Sequence, residues 1–212
     1  MSDDLIFYTH PMSRGRIVRW MLEEVGRPYR TEILDYGTSM KSPDYLAINP
    51  MGKVPAMRHG DTVVTEAAAI CAYLADAFPD AGLAPPPGDP RRGPYYRWLF
   101  FVAGPLEAAA TSKALGVEVP ADRRPMVGYG SMEDVLRTLD GELSRRDHLA
   151  GDRFTAADLL VSAHLGWGMQ FGTIDRRPSF MRFVERTQSR PAAVKAREID
   201  DALTPPEMRP AS

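Results

Sequence analysis

At 212 residues with 44% hydrophobic content, the chain is long enough for one or two domains with ordinary buried cores. A formal net charge of −2 gives no electrostatic basis for holding nucleic acid or an anionic membrane. No uninterrupted apolar run approaches the length of a membrane span, and the acidic start Met1-Ser2-Asp3-Asp4 is unlike a secretory leader, so a cytoplasmic location is expected.

Leu5-Ile6-Phe7-Tyr8 is a short run of strand formers ended by His10-Pro11. Val18, Met21, Leu22 and Val25 then recur at helical spacing, with Ser13 where an N-cap belongs and Gly26 and Pro28 as stop signals. Tyr29 to Leu34 alternates like a strand. Strand, helix, strand in that order favours a parallel pair with a crossover connection. Residues 39–48 offer a short helix; Ala56-Met57 and Thr62 to Val64 flank a His59-Gly60-Asp61 turn, and residues 66–78 carry Ala67, Ile70, Cys71, Leu74, Ala77 and Phe78 on a helical stripe. The order is β-α-β-α-β-β-α.

Two motifs in this half carry chemistry. In Asn49-Pro50-Met51-Gly52-Lys53-Val54-Pro55, a turn feeds a proline that can stand only at a strand start or edge. A cis Val54-Pro55 bond there turns the Val54 backbone outward, leaving an edge on which an extended peptide can lie like an added strand. Glu66-Ala67 heads the last helix, whose free N–H groups receive a carboxylate while Glu66 meets an ammonium group. A small peptide with carboxylate and amine on one carbon suits both.

Residues 80–94 are too rich in proline and glycine for the interior of an element and read as a linker. Beyond it every long periodic segment is helical: Tyr95 to Leu115 with a kink at Pro105, Met126 to Leu143, Thr155 to about Gly166, and Ser179 to about Arg197. Thr155-Ala156-Ala157-Asp158 is a capping box at the head of an apolar helix, a folding feature. The expected domains are 1–80, thioredoxin-like; 81–94, linker; and 95–212, all-helical. The lone Cys71 excludes an internal disulfide and Cys-x-x-Cys chemistry. His10, His59, His148 and His164 lack metal-ligand spacing, so no metal is expected.

In order and motifs the chain resembles the cytosolic glutathione S-transferase superfamily, from Leu5 to about residue 200. The resemblance implies a thioredoxin-like domain followed by a helical one, with glutathione as co-substrate. It implies that Val54, between Lys53 and Pro55, pairs its backbone with the cysteinyl part of glutathione, and that Glu66 and Ala67 hold the γ-glutamyl end. Where the family usually has Ser or Thr after the acidic residue, Ala67 offers only its N–H; the missing bond is worth about 0.5 to 1.5 kcal/mol.

A bound thiol attacks only as thiolate, so a donor and positive potential are needed at the sulfur. Ser13, at the head of the first helix, and Tyr8, at the end of the first strand, both qualify; Ser13 is preferred, with Tyr8 left open. The spacing of Tyr8 and Ser13 is similar to the Tyr and Cys of the bacterial beta class. Arg14 and Arg16 beside Ser13 raise the potential or bind a ligand carboxylate. A second-substrate pocket is expected at the domain interface, walled by Met12, Trp98, Phe101 and Phe171. The expected function is transfer of glutathione to a small, hydrophobic electrophile by a homodimer. The alternatives are a glutathione-dependent isomerase or peroxidase on the same fold, or a catalytically silent interaction protein.

Overall fold

A computed structural model describes residues 4–204. The strand formers of Leu5–Thr9 make β1, buried along its whole length. A short loop leads to α1, Gly15–Val25, which buries Ile17, Val18, Met21 and Leu22 and ends at Gly26. Gly26 has φ 69°, and its N–H donates to the Leu22 carbonyl at 3.0 Å, the left-handed cap that a residue without Cβ accepts at no steric cost. β2, Tyr29–Ile33, lies parallel to β1. After a 3-10 turn at Ser39–Lys41 and the single helical turn α2, Pro43–Leu46, the hairpin β3, Ala56–His59, and β4, Thr62–Thr65, completes a sheet of order β2-β1-β3-β4. Helix α3, Ala67–Ala77, follows.

Alternation along β1 divides the sheet's two faces. Ile6 and Tyr8 gather Met40, Tyr45 and Ala56 on one. Phe7 faces the other way, with the Arg19 guanidinium of α1 over its ring at 5.2 Å.

The remaining elements are helical: α4, Arg92–Phe101; α5, Glu107–Ala114; α6, Met132–Leu143; α7, Ala156–Gln170; α8, Pro178–Gln188; and α9, Pro191–Leu203. A thioredoxin-like domain precedes a helical one, as the sequence indicates. Gly82–Ser189 form one compact unit; the described residues up to Ala81, joined by those from Arg190 onward, form the other. Pro105 sits in a π-helical turn, Val102–Leu106, joining α4 to α5, where a ring without an N–H interrupts the α-helical ladder.

Two expected helices change. The one predicted from Met126 starts at Met132, because Gly128 and Gly130 (φ 64°) precede the Ser131 cap, whose hydroxyl accepts the Asp134 N–H at 3.1 Å. The one predicted over 179–197 is two. Arg190, held extended by the following Pro191 at φ −59° and ψ 141°, separates α8 from α9. The capping box at α7 forms: the Asp158 carboxylate accepts the N–H and the hydroxyl of Thr155, both at 2.9 Å, and the Leu149 N–H at 2.8 Å.

α9 returns to the first unit and docks on α1 through side chains of opposite sign. Arg16 meets Asp201, Glu24 meets Arg190 and Glu23 meets Lys195, each at 2.7 Å; the Glu23 and Glu24 side chains are nearly buried, but each pair keeps its basic partner open to solvent, which screens it. Arg19 and Asp200 differ: both side chains are almost wholly buried, with Nε 2.6 Å from Oδ1. Arg19 Nη1 also donates to the hydroxyls of Tyr29 at 3.2 Å and Thr31 at 3.3 Å. Burial, helped by the neighbouring Glu23 carboxylate, pushes the Tyr29 phenol up to about 12, so it stays a neutral partner at any physiological pH.

Removing one member of a buried pair leaves a desolvated charge, at a cost of roughly 3 to 5 kcal/mol, whereas replacing both with apolar groups is often tolerated. Arg19→Met alone should therefore lower stability by that amount in chemical denaturation, and Arg19→Met with Asp200→Leu should recover most of it. A single substitution costing under about 1 kcal/mol would show that this pair does not anchor α9.

Candidate functional site

Strand register gathers the site. Ala56, which opens β3, lies opposite Tyr8 of β1 and Thr65 of β4, both near the ends of their strands. The residues just before β3, just after β4 and just after β1 therefore share one edge of the sheet. They are Val54-Pro55, Glu66-Ala67, and the loop from His10 to Ser13.

The approach to β3 is held by its own side chains. Asn49, buried, accepts the Met51 N–H on Oδ1 at 3.1 Å and donates from Nδ2 to the Lys53 carbonyl at 2.8 Å. The Tyr45 hydroxyl donates to the same carbonyl at 2.6 Å, and burial raises that phenol to about 12, keeping its proton in place. Gly52, at φ 56°, allows the tight approach: a Cβ there would stand 2.7 Å from both the Met40 carbonyl and the Lys41 ammonium. Two donors on one carbonyl orient the peptide that leads into Val54. The Val54-Pro55 bond is cis. Among the described residues the Val54 N–H and C=O take part in no hydrogen bond. The Lys53 side chain is exposed, and Lys41 Nζ donates to the Met51 carbonyl at 3.0 Å, so two ammonium groups flank the turn.

At the other motif Glu66 has φ 70° and ψ 122°, and among the described non-glycine residues it alone has positive φ. That conformation costs a residue with a Cβ on the order of 1 to 3 kcal/mol. It turns the chain from β4 into α3, whose first N–H groups receive no side-chain cap. The exposed Glu66 carboxylate has no ion pair or hydrogen bond among the described residues. Thus a negative side chain and the positive end of a helix stand side by side, each unspent. Ala67, half-buried, is the first residue of α3 and adds no hydroxyl.

The two candidate donors occupy different surroundings. Tyr8 packs among Met40, Tyr45 and Ala56, its ring 5.7 Å from that of Tyr45. Ser13, 7% exposed, lies in the loop before α1. The helix begins with Arg14 at its N-cap position rather than Ser13; nevertheless Ser13 Oγ accepts the Gly15 N–H at 2.9 Å, so it does serve the first turn. Its own proton goes to the His10 carbonyl at 2.7 Å. Gly15 is needed for contact rather than for φ, since a Cβ would fall 1.8 Å from Thr9 Oγ1 and 2.9 Å from Ser13 Oγ. Met12, half-buried, donates its N–H to His10 Nδ1 at 3.1 Å, which puts the His10 proton on Nε2, and its carbonyl accepts the Tyr36 hydroxyl at 3.1 Å.

In the helical unit Trp98 is wholly buried, with Phe101 edge-on to it at 5.3 Å; Phe171, 49% exposed, leans on Trp167 at 4.8 Å. Cys71 is buried in α3, and desolvation lifts its thiol to about 12, so it is inert at neutral pH. Among the described residues no group of His, Cys, Asp and Glu is arranged to hold a metal ion. Sequence reasoning missed Tyr45, Lys41 and Gly15, whose parts depend on distant backbone; Asn49 ahead of Pro50 and Gly52 was the available turn signal.

Both halves of the chain resemble known proteins. The model of the glutathione S-transferase N-terminal domain matches residues 12–77, and that of the C-terminal domain matches residues 129–191. Glutathione S-transferase GstA of Escherichia coli O157:H7 is 31% identical over 163 residues, covering 76% of this chain and 77% of its own. A glutathione transferase structure from Methylococcus capsulatus superposes with a TM-score of 0.78 at 30% identity, over 93% of this chain and 99% of that one. A sphingomonad glutathione S-transferase solved in complex with glutathione gives 0.76 at 28%, over 92% and 98%.

Glycine at position 66 relieves the backbone but removes the carboxylate. Glu66→Gly should raise stability by about 1 kcal/mol in chemical denaturation, and a loss of stability would show that the carboxylate already has a structural partner. Gly15→Ala should cost about 1 to 3 kcal/mol by driving the Thr9 and Ser13 hydroxyls apart. A neutral result there would mean that the loop yields without cost.

Proposed function

This chain belongs to the glutathione S-transferase superfamily, and on that premise we propose that it binds glutathione along Val54 and Glu66 and activates the thiol with Ser13 for attack on a small electrophile. The observation that carries the reading is the unspent Val54 backbone at the same sheet edge as Glu66 and the uncapped head of α3. The cysteinyl segment pairs its own N–H and C=O with Val54, as an added antiparallel strand would. The γ-glutamyl carboxylate lies on the α3 amides at Ala67, and its ammonium on the Glu66 carboxylate. Lys53, beside Pro55 and Val54, serves the carboxylate at the glycyl end.

Ser13 must give up its bond to the His10 carbonyl to donate to sulfur. That exchange is favourable: a neutral hydrogen bond is worth about 0.5 to 1.5 kcal/mol net, and one to a charged group about 1.5 to 3. The Gly15 N–H on Oγ polarises the hydroxyl and makes it the better donor. The thiol proton leaves to solvent, the thiolate forms a carbon–sulfur bond, and the bond to the leaving group breaks with its electron pair. Isomerase or peroxidase chemistry would begin from the same thiolate and differ only in the acceptor. The electrophile is apolar in this reading. We place the enzyme in the cytoplasm, as a homodimer.

Calorimetry should show glutathione binding, weakened by at least 1 kcal/mol in Glu66→Ala, where the ammonium loses its charged partner. An unchanged dissociation constant removes Glu66 from the site. Ser13→Ala should leave affinity within about threefold, raise the bound thiol pKa and cut turnover at neutral pH, with partial recovery in alkali. Tyr8→Phe should matter less. Full turnover in Ser13→Ala with loss in Tyr8→Phe would reverse the assignment.

A further inference from the structure

Arg16, in the first turn of α1, spends its guanidinium on two segments distant in sequence. Nε donates to the Pro11 carbonyl at 2.5 Å. Nη1 meets Asp201 Oδ1 at 2.7 Å, and Nη2 donates to Thr204 Oγ1 at 3.1 Å. The Thr204 hydroxyl in turn donates to the Asp200 carbonyl at 2.7 Å, and the Asp200 side chain holds the buried Arg19. Pro11 follows His10, whose carbonyl receives the Ser13 proton, and precedes Met12, whose N–H closes on His10 Nδ1. A chain of hydrogen bonds thus runs from the last turn of α9 to the loop that presents the Ser13 hydroxyl.

We propose that Arg16 is a positioning residue for thiol activation, tying the Ser13 loop to the last turn of α9, so that Asp201 and Thr204 help to set where the hydroxyl stands. The inference rests on Ser13 as the thiol donor. Two features of the geometry support it. A planar guanidinium bonded through Nε, Nη1 and Nη2 is fixed in plane and direction, which no ammonium group can reproduce. And Asp201 is half exposed, so its ion pair adds little stability; what the contact supplies is placement. Placement matters at this point, because misplacing a catalytic group by about 1 Å can cost up to about 100-fold in rate.

The rival account is that Arg16 acts only as a nearby positive charge favouring the thiolate. Arg16→Lys separates the two, since it keeps the charge and loses the three-way attachment. In this variant glutathione affinity should stay within about threefold, the bound-thiol absorbance should titrate at higher pH, and kcat at neutral pH should fall about tenfold. Amide hydrogen exchange at Met12 and Ser13 should quicken without ligand. Asp201→Asn and Thr204→Val should reproduce part of both effects, and Arg16→Lys should add little in a Ser13→Ala background.

A wild-type pH profile in Arg16→Lys together with a shifted one in Arg16→Ala would overturn the proposal in favour of simple charge. Unchanged exchange at Met12 and Ser13 would also overturn it. If the wild-type protein binds no glutathione, the functional reading fails and thiol positioning fails with it. In that event the exchange measurement still decides whether Arg16 holds the loop.

Discussion

Because β3 is antiparallel to both β1 and β4, the chain's entry into β3, its exit from β4 and its exit from β1 fall at one edge of the sheet. Each of those three places carries one part of the candidate site, though the loop after β1 lies far from the other two in sequence. A slip of one residue in the β1–β3 pairing would put Tyr8 and Ala56 on opposite faces and break the cluster they share with Met40 and Tyr45. The apolar face thus fixes the register, and the register fixes which loops meet. In the proposed binding mode, ligand recognition follows from how the core is filled.

Around that edge the structure is tight where it must hold and unspent where it must receive. The Lys53 carbonyl has two donors, Ser13 Oγ both accepts and donates, and Gly15 leaves no room for a methyl group. Beside them Val54 keeps its backbone groups unpaired, Glu66 holds a costly conformation, and α3 begins without a cap. A fold selected for stability alone would place at 66 either a glycine, which takes a positive φ freely, or an Asn or Asp, which would also cap α3. That the chain does neither is what the proposed site requires. α9 extends the same economy to the first helix, where the buried Arg19 and Asp200 bring Asp201 and Thr204 within reach of Arg16.

Much of this is legible in the sequence because it rests on local rules. Strand formers, helical spacing and the Thr155-to-Asp158 box locate the elements, and the Pro-Gly tract marks the passage to the helical half. Val54-Pro55 and Glu66 announce themselves by proline chemistry and by position at a helix head. Other parts are fixed by tertiary contacts that no local pattern encodes. The positive φ of Glu66 has no compositional mark, since glutamate is not a residue that favours it. The donation of Tyr45 to the Lys53 carbonyl and the docking of Asp200 on Arg19 join residues whose proximity only the folded chain creates. The division of residues 178–203 into two helices was readable from Arg190-Pro191, where apolar periodicity on both sides concealed a proline that only begins a helix.

The central claim is that glutathione lies on the Val54 edge with its γ-glutamyl end at the head of α3. Backbone amide NMR during a glutathione titration tests it directly, since each unspent N–H should report its new partner. The account predicts that the Val54 and Ala67 amides shift together and saturate at the same concentration, with Gly15 following as the Ser13 hydroxyl changes partner. Shifts confined to other parts of the chain, with Val54 and Ala67 unmoved at saturation, would contradict it.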